Sequence, residues 1–261
     1  MKKRFFTMTM VAVLAVAFVA CNKDDYGSEK IEVNYDDDLV LPSGIIWTKT
    51  NVGADNPWDY GSYFAWGEIE SKSNYDWKTY KYCIDTCNSF TKYCDTAIFG
   101  NNGFIDGLTK LDATDDIATT KLGSDYSIPT VDDWKELCTQ CYWVWTSNYD
   151  EKNVSGWIVY NALSDNDKGV KVFDGKTSNS SYVPSLAHIF LPAAGYRSDL
   201  DLIDAGTDGF YWSSSLKKKS LNAPNAPRFA HSCYFGCSFA IDPEYISNRC
   251  NGLTIRPIRR K

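Results

Sequence analysis

The sequence predicts an α+β fold: short antiparallel strands, two helices and long loops. Two observations carry that prediction. Segments rich in β-branched or aromatic residues recur between glycine, asparagine and aspartate turn formers. Only two stretches combine a helix-start signal with helical spacing of apolar residues.

The elements follow in chain order. Lys2, Lys3 and Arg4 precede an almost uncharged run from Phe5 to Ala20, the layout of a signal peptide, residues 1–20. A retained membrane span needs roughly 20 apolar residues, and this run contains Thr7 and Thr9 and stops at Cys21. Residues 21–38 hold seven acids against Lys23 and Lys30, a composition that suits a solvated tether. A single domain is expected over 39–261, long enough for its own core. Strand segments are expected at 44–49, 61–67, 156–163, 169–173, 188–195, 209–215, 227–235 and 253–259. Pro257 places the last of these at a sheet edge or ends it.

The clearest helix begins in "PTVDDWKELCTQC". Thr130 is its cap, Asp133 the carboxylate partner three residues on, and Trp134, Leu137, Cys138 and Cys141 share one apolar face. A weaker helix is expected in "TDDIATTKLG", capped by Thr114, ended by Gly123, and apolar at Ile117, Ala118 and Leu122.

Charge and cysteine content narrow the function. The formal net charge is -6, and it becomes -9 once the first 20 residues, with three basic groups and no acid, are removed. That balance disfavours nucleic acid. Of nine cysteines, eight remain beside Cys21, and an even number in an exported chain points to at least one disulfide, with the pairing open. "CTQC" at 138–141, completed by Cys83 and Cys87, has zinc-like spacing, but export favours oxidation of such thiols, so no metal or cofactor is expected. No G-x-S-x-G elbow or H-E-x-x-H helix accompanies the two histidines, His188 and His231. Asp115–Asp116 and Asp132–Asp133 sit at helix starts, where capping accounts for them.

Two resemblances add to this reading. Phe18, Val19, Ala20 and Cys21 resemble a bacterial lipobox, and Asn22, Lys23, Asp24 and Asp25 are similar to the export signal of Bacteroidetes lipoproteins. They imply that Cys21 carries the lipid and that the protein is anchored in the outer membrane, facing outward; an ordinary secretory signal is the alternative. "LPSGIIWTKTNVGA", "YGSYFAWGE", "YSIPTVDDWKELC", "IFLPAAGYR", "GFYWSSS" and "NRCNGLTIRPIRR" together resemble the major paralogous domain named after Fibrobacter succinogenes, from about Leu41 to the end. The resemblance implies a C-type-lectin-like fold close to that of the formylglycine-generating, sulfatase-modifying enzymes.

Fold does not fix function. The resemblance implies that the stretch between Ser215 and Arg249 forms a loop-borne, diversifiable face for an extracellular protein or glycan, bound without catalysis. Its candidate residues are Asn222, Asn225, His231, Tyr234, Phe235, Tyr245, Asn248 and Arg249, because tyrosine supplies contact area and asparagine adaptable hydrogen bonds. A place in the core is the alternative for Phe235 and Tyr234. A copper- or thiol-dependent modifying enzyme built on Cys233 and Cys237 is the second reading, although their spacing departs from the enzymes' pair by one residue. A structural subunit of a surface assembly is the third. The calcium-and-sugar tripeptides of many lectins are absent from the sequence.

Overall fold

A computed structural model describes residues 39–85, 87–173, 179–218, 226–237 and 241–260. Cys21, the leader and the acidic stretch lie outside the described residues, as do Asn222 and Asn225. In chain order the strands are β1 (Leu39–Val40), β2 (Ile46–Trp47), β3 (Tyr126–Ser127), β4 (Cys141–Thr146), β5 (Gly156–Asn161), β6 (Lys171–Val172), β7 (His188–Pro192), β8 (Tyr196–Ser198), β9 (Asp201–Ile203), β10 (Asp208–Leu216), β11 (Phe229–Gly236), β12 (Ile241–Asn248) and β13 (Ile258–Arg259). The helices are α1 (Ile117–Leu122) and α2 (Val131–Gln140). The class is α+β, as expected: small, largely antiparallel sheets with two helices among the described residues.

Four sheets organise the chain. One runs β1-β2-β13-β3, so its strands come from both ends of the described chain. A second runs β6-β4-β5-β7, with β6 parallel to β4 and the other pairs antiparallel. β10, β11 and β12 form an antiparallel meander, and β8 and β9 a hairpin beside it.

The meander separates two apolar cores. Phe210, Trp212, Leu216 and Ala230 pack into one, with Trp66, Tyr80, Phe90 and Tyr93. Tyr211, Cys233 and Phe235 pack into the other, with Trp134 of α2 and Trp143 and Trp157 of β4 and β5. Successive side chains of a strand point to opposite faces, so neighbours such as Tyr211 and Trp212 enter different cores. Gly209 permits this close packing: a Cβ there would collide with the Phe235 ring.

α2 forms as its sequence predicts. Thr130 Oγ1 accepts a hydrogen bond from Asp133 N (3.2 Å), and Asp133 Oδ2 accepts one from Thr130 N (2.7 Å), closing a capping box. Trp134, Leu137 and Cys138 are buried, whereas Cys141 has already begun β4. In α1 the cap is Asp116 rather than Thr114: Asp116 Oδ1 accepts from Thr119 N at 3.1 Å, and Oδ2 from Ile128 N at 2.8 Å. A carboxylate with two acceptor oxygens can hold both segments, which a single hydroxyl cannot. Leu122 is exposed, so the apolar face of α1 is only Ile117 and Ala118.

Three further expectations are corrected. Residues 61–67 do not form a strand, because the chain turns at Gly61 and Gly67, both with positive φ, and only Phe64 pairs, with Leu253. β13 begins after Pro257 and lies between β2 and β3, not at an edge; the carbonyl of Pro257 accepts from Thr48 N (3.1 Å), and its missing N–H falls outside the ladder. Within the stretch from Ser215 to Arg249, read as loop-borne, the strand expected at 227–235 is present as β11, and the part expected as loop also supplies β12.

The expected disulfide is not formed either. Among the described residues, no disulfide joins Cys83, Cys87, Cys94, Cys138, Cys141, Cys233, Cys237 and Cys250. Six of them are buried, where each behaves as a small apolar group.

Candidate functional site

A cleft of about 580 Å³ opens where the meander meets the β8–β9 hairpin. Tyr196 comes from β8, Asp204 from the turn after β9, Asp208 and Phe210 from β10, Tyr234 from β11, and Tyr245 and Asn248 from β12. Asn251 closes one end. Strand pairing sets this grouping, since Phe210 lies opposite Tyr234, and Tyr234 opposite Asp242. Pro243 follows, lacks an N–H, and sits where the ladder is irregular between Ser232 and Tyr234.

The rings form a corner rather than a flat platform. Ring centroids of Phe210 and Tyr234 are 5.0 Å apart at 46°, those of Tyr234 and Tyr245 5.1 Å at 34°, and those of Phe210 and Tyr245 5.8 Å at 63°. Tyr196 packs on Phe210 from the other side at 4.8 Å and 63°. Tilted and edge-to-face contacts of this kind suit the ring quadrupoles and fix the rings mutually.

Two carboxylates give the cleft its charge. Asp208 Oδ1 accepts from the Tyr234 hydroxyl (2.8 Å), and Oδ2 from Thr207 Oγ1 (2.7 Å). Burial and then the Asp208 charge push the Tyr234 phenol up to about 12. Burial, followed by the Asp204 charge, also raises that of Tyr196. Both phenols therefore stay protonated at neutral pH and remain donors.

Of the eight residues expected to bind, the structure brings Tyr234, Tyr245 and Asn248 together in this cleft. His231 lies elsewhere, with its Nδ1 3.2 Å from the Glu244 carbonyl; burial lowers its pKa, and Lys217, Glu244 and Lys135 are its charged neighbours. Phe235 and Arg249 are corrections. Phe235 is wholly buried because it points to the opposite side of the meander from Tyr234. Arg249 is wholly buried outside the cleft lining, its guanidinium bonded to the Tyr80 hydroxyl and to the carbonyls of Lys92, Tyr93 and Pro227.

Tyr196, Asp204, Asp208, Phe210 and Asn251 were not anticipated. Their segments read as framework, and the β8–β9 hairpin was not foreseen. Its signal was the polar turn Ser198–Asp199–Leu200–Asp201 between Tyr196 and Leu202, with Asp199 at φ 52°.

Among known proteins, no family model, curated protein or solved structure matches this chain.

Elsewhere, a groove of about 550 Å³ is lined by Thr48, Asn51, Val52, Phe64, Tyr126 and others, but its polar groups serve the fold. Asn51 donates to the Tyr60 carbonyl (2.9 Å) and accepts from Arg256 Nε (2.8 Å), while Thr48 Oγ1 donates to the carbonyls of Thr50 and Pro257. Among the described residues, no group of three or more His, Cys, Asp or Glu side chains is placed to hold a metal ion. The Cys233 side chain is wholly buried, which raises its thiol pKa well above the ordinary value, whereas Cys237 is exposed.

Proposed function

We propose that the protein is a lipoprotein anchored through Cys21 in the outer membrane, displaying a C-type-lectin-like domain of the major paralogous kind, which binds an extracellular protein or glycan noncovalently. One observation carries the proposal: five aromatic rings, two carboxylates and two asparagine amides converge in a cleft built mainly on paired strands. Rings with polar tips give contact area at small entropic cost, and strands hold them in place before a ligand arrives. The cleft supplies recognition groups in fixed positions, and the proposed tether supplies the outward address.

The oxidative-enzyme alternative draws no support from Cys233, since a reacting thiol must be reached by its substrate and gains from a lowered pKa. The assembly-subunit alternative has no specific observation in its favour.

The test is capture of extracellular proteins and of an arrayed glycan set by the purified full chain, beside the variant with Tyr234→Ala and Tyr245→Ala. A target held by the parent and lost by a folded variant supports the reading. Equal capture by both removes the cleft from the proposal.

A further inference from the structure

The ring faces in this protein are widely used to hold cations. Lys72 stands over Tyr75 and Tyr80, Lys81 over Tyr82, Lys92 over Tyr93, Arg197 over Tyr63, and Arg249 over Trp66, Tyr80 and Phe90. Among the described residues, no cation stands over Tyr196, Phe210, Phe229, Tyr234 or Tyr245, the five rings of the cleft. Among the described residues, the cleft lining also contains Asp204 and Asp208 but no lysine, arginine or histidine. Both aspartates are set against the rings, and although the Asp204 carbonyl accepts hydrogen bonds from Thr207 and Asp208, its carboxylate makes no hydrogen bond or ion pair among the described residues.

We propose that the cleft binds the alkylammonium group of a small organic cation, boxed by the tilted faces of Phe210, Tyr234 and Tyr245 and charge-matched by Asp204 and Asp208. This rests on the reading of the cleft as the ligand site and names the chemistry it selects. An anionic ligand would meet two carboxylates with no counter-charge in the lining. A neutral sugar stacks best on one open ring face, whereas an ammonium gains from every face turned toward it, whatever the angle between them. The three mutual tilts, 34°, 46° and 63°, make a corner of this second kind.

The degree of substitution on nitrogen follows from Asp208. Each of its oxygens already accepts a hydroxyl hydrogen bond, from Tyr234 and from Thr207. A quaternary, methylated nitrogen has no N–H donors to satisfy, so Asp208 can serve it by charge alone while keeping both hydroxyl bonds. A cleft of about 580 Å³ accommodates such a group together with part of the molecule that carries it.

The test uses choline and its neutral, equally shaped analogue 3,3-dimethyl-1-butanol, titrated calorimetrically into the full chain in a neutral polyoxyethylene detergent. Saturable choline binding is expected, with the neutral analogue about tenfold weaker or worse. Asp204→Asn and Tyr245→Leu, both at exposed positions, are each expected to weaken choline about tenfold while leaving the melting temperature unchanged. Equal affinity for choline and its analogue overturns the inference, as does choline binding that neither variant alters. Capture of a neutral glycan that depends on Tyr245, with no choline binding, also overturns it and leaves the broader binding reading standing. If no ligand of any class depends on the cleft residues, both fall.

Discussion

Among the described residues Arg249 has no carboxylate partner; its charge is met by three ring faces, the nearest being Phe90 at 4.3 Å, and by four oxygen acceptors about 3.0 Å away. Lysine cannot reproduce this, because an ammonium lacks the planar fork that reaches those oxygens together. Arg249→Lys is expected to lower the unfolding free energy by about 3 kcal/mol, read by urea denaturation, since buried carbonyls lose their donors. The same residue shows where sequence reading stops. Arg249 and Asn248 are adjacent and polar, yet one is interior and the other lines the cleft. Tyr234 and Phe235 make the same contrast among aromatics. Composition identified the kind of residue, but the meander is packed on both faces, so the facing of each side chain was set by strand pairing over long sequence distances.

α2 was legible because its signals are local. The capping box, the apolar spacing and the start at Thr130 all lie within a few turns. Thr130→Ala is expected to cost about 1 kcal/mol by thermal or chemical denaturation, and Thr130→Ser far less, because serine keeps the accepting oxygen. The segment from about residue 48 to 112 was less legible, since side chains rather than ladders hold it. Asp115 is the centre: its carboxylate takes Lys92 Nζ and the Tyr93 hydroxyl, both at 2.7 Å, with Lys81 Nζ at 3.4 Å. Burial acts to raise its pKa, but the bonds from Lys92, Tyr82 and Tyr93 override it and hold the group down at about 2. A carboxyl depressed in the folded state adds stability above its unfolded pKa of about 3.9. That contribution is expected to fade as pH falls from about 4 to 2, and Asp115→Asn should flatten the fall. Denaturation midpoints measured across that window check it. β12 was missed for a related reason: turn formers and Pro243 made it read as loop, although Pro243 sits at the ladder's irregularity, whereas β11 was expected at 227–235.

Across the whole molecule, the aromatic cores leave the thiols enclosed. Cys83, Cys94, Cys138, Cys141, Cys233 and Cys250 are buried, Cys87 is partly exposed and Cys237 is exposed. Burial also pushes the Cys250 thiol up to about 12. A maleimide is expected to modify Cys237 fast, Cys87 more slowly, and the other six only after denaturation, as mass spectrometry of the native and unfolded protein would show. Rapid labelling of the buried six would mean that the cores open in solution. The general class, α+β, could be read from sequence; the absence of disulfides among the described residues could not, because counting cysteines says nothing of which ones meet. The placement of β13 between β2 and β3 carries a kinetic consequence. The ribosome makes Ile258 and Arg259 after every partner they join, so this sheet cannot close during most of synthesis. Until those two residues emerge, β2 and β3 lack the strand that joins them, so native pairing of this sheet must be a late event in folding.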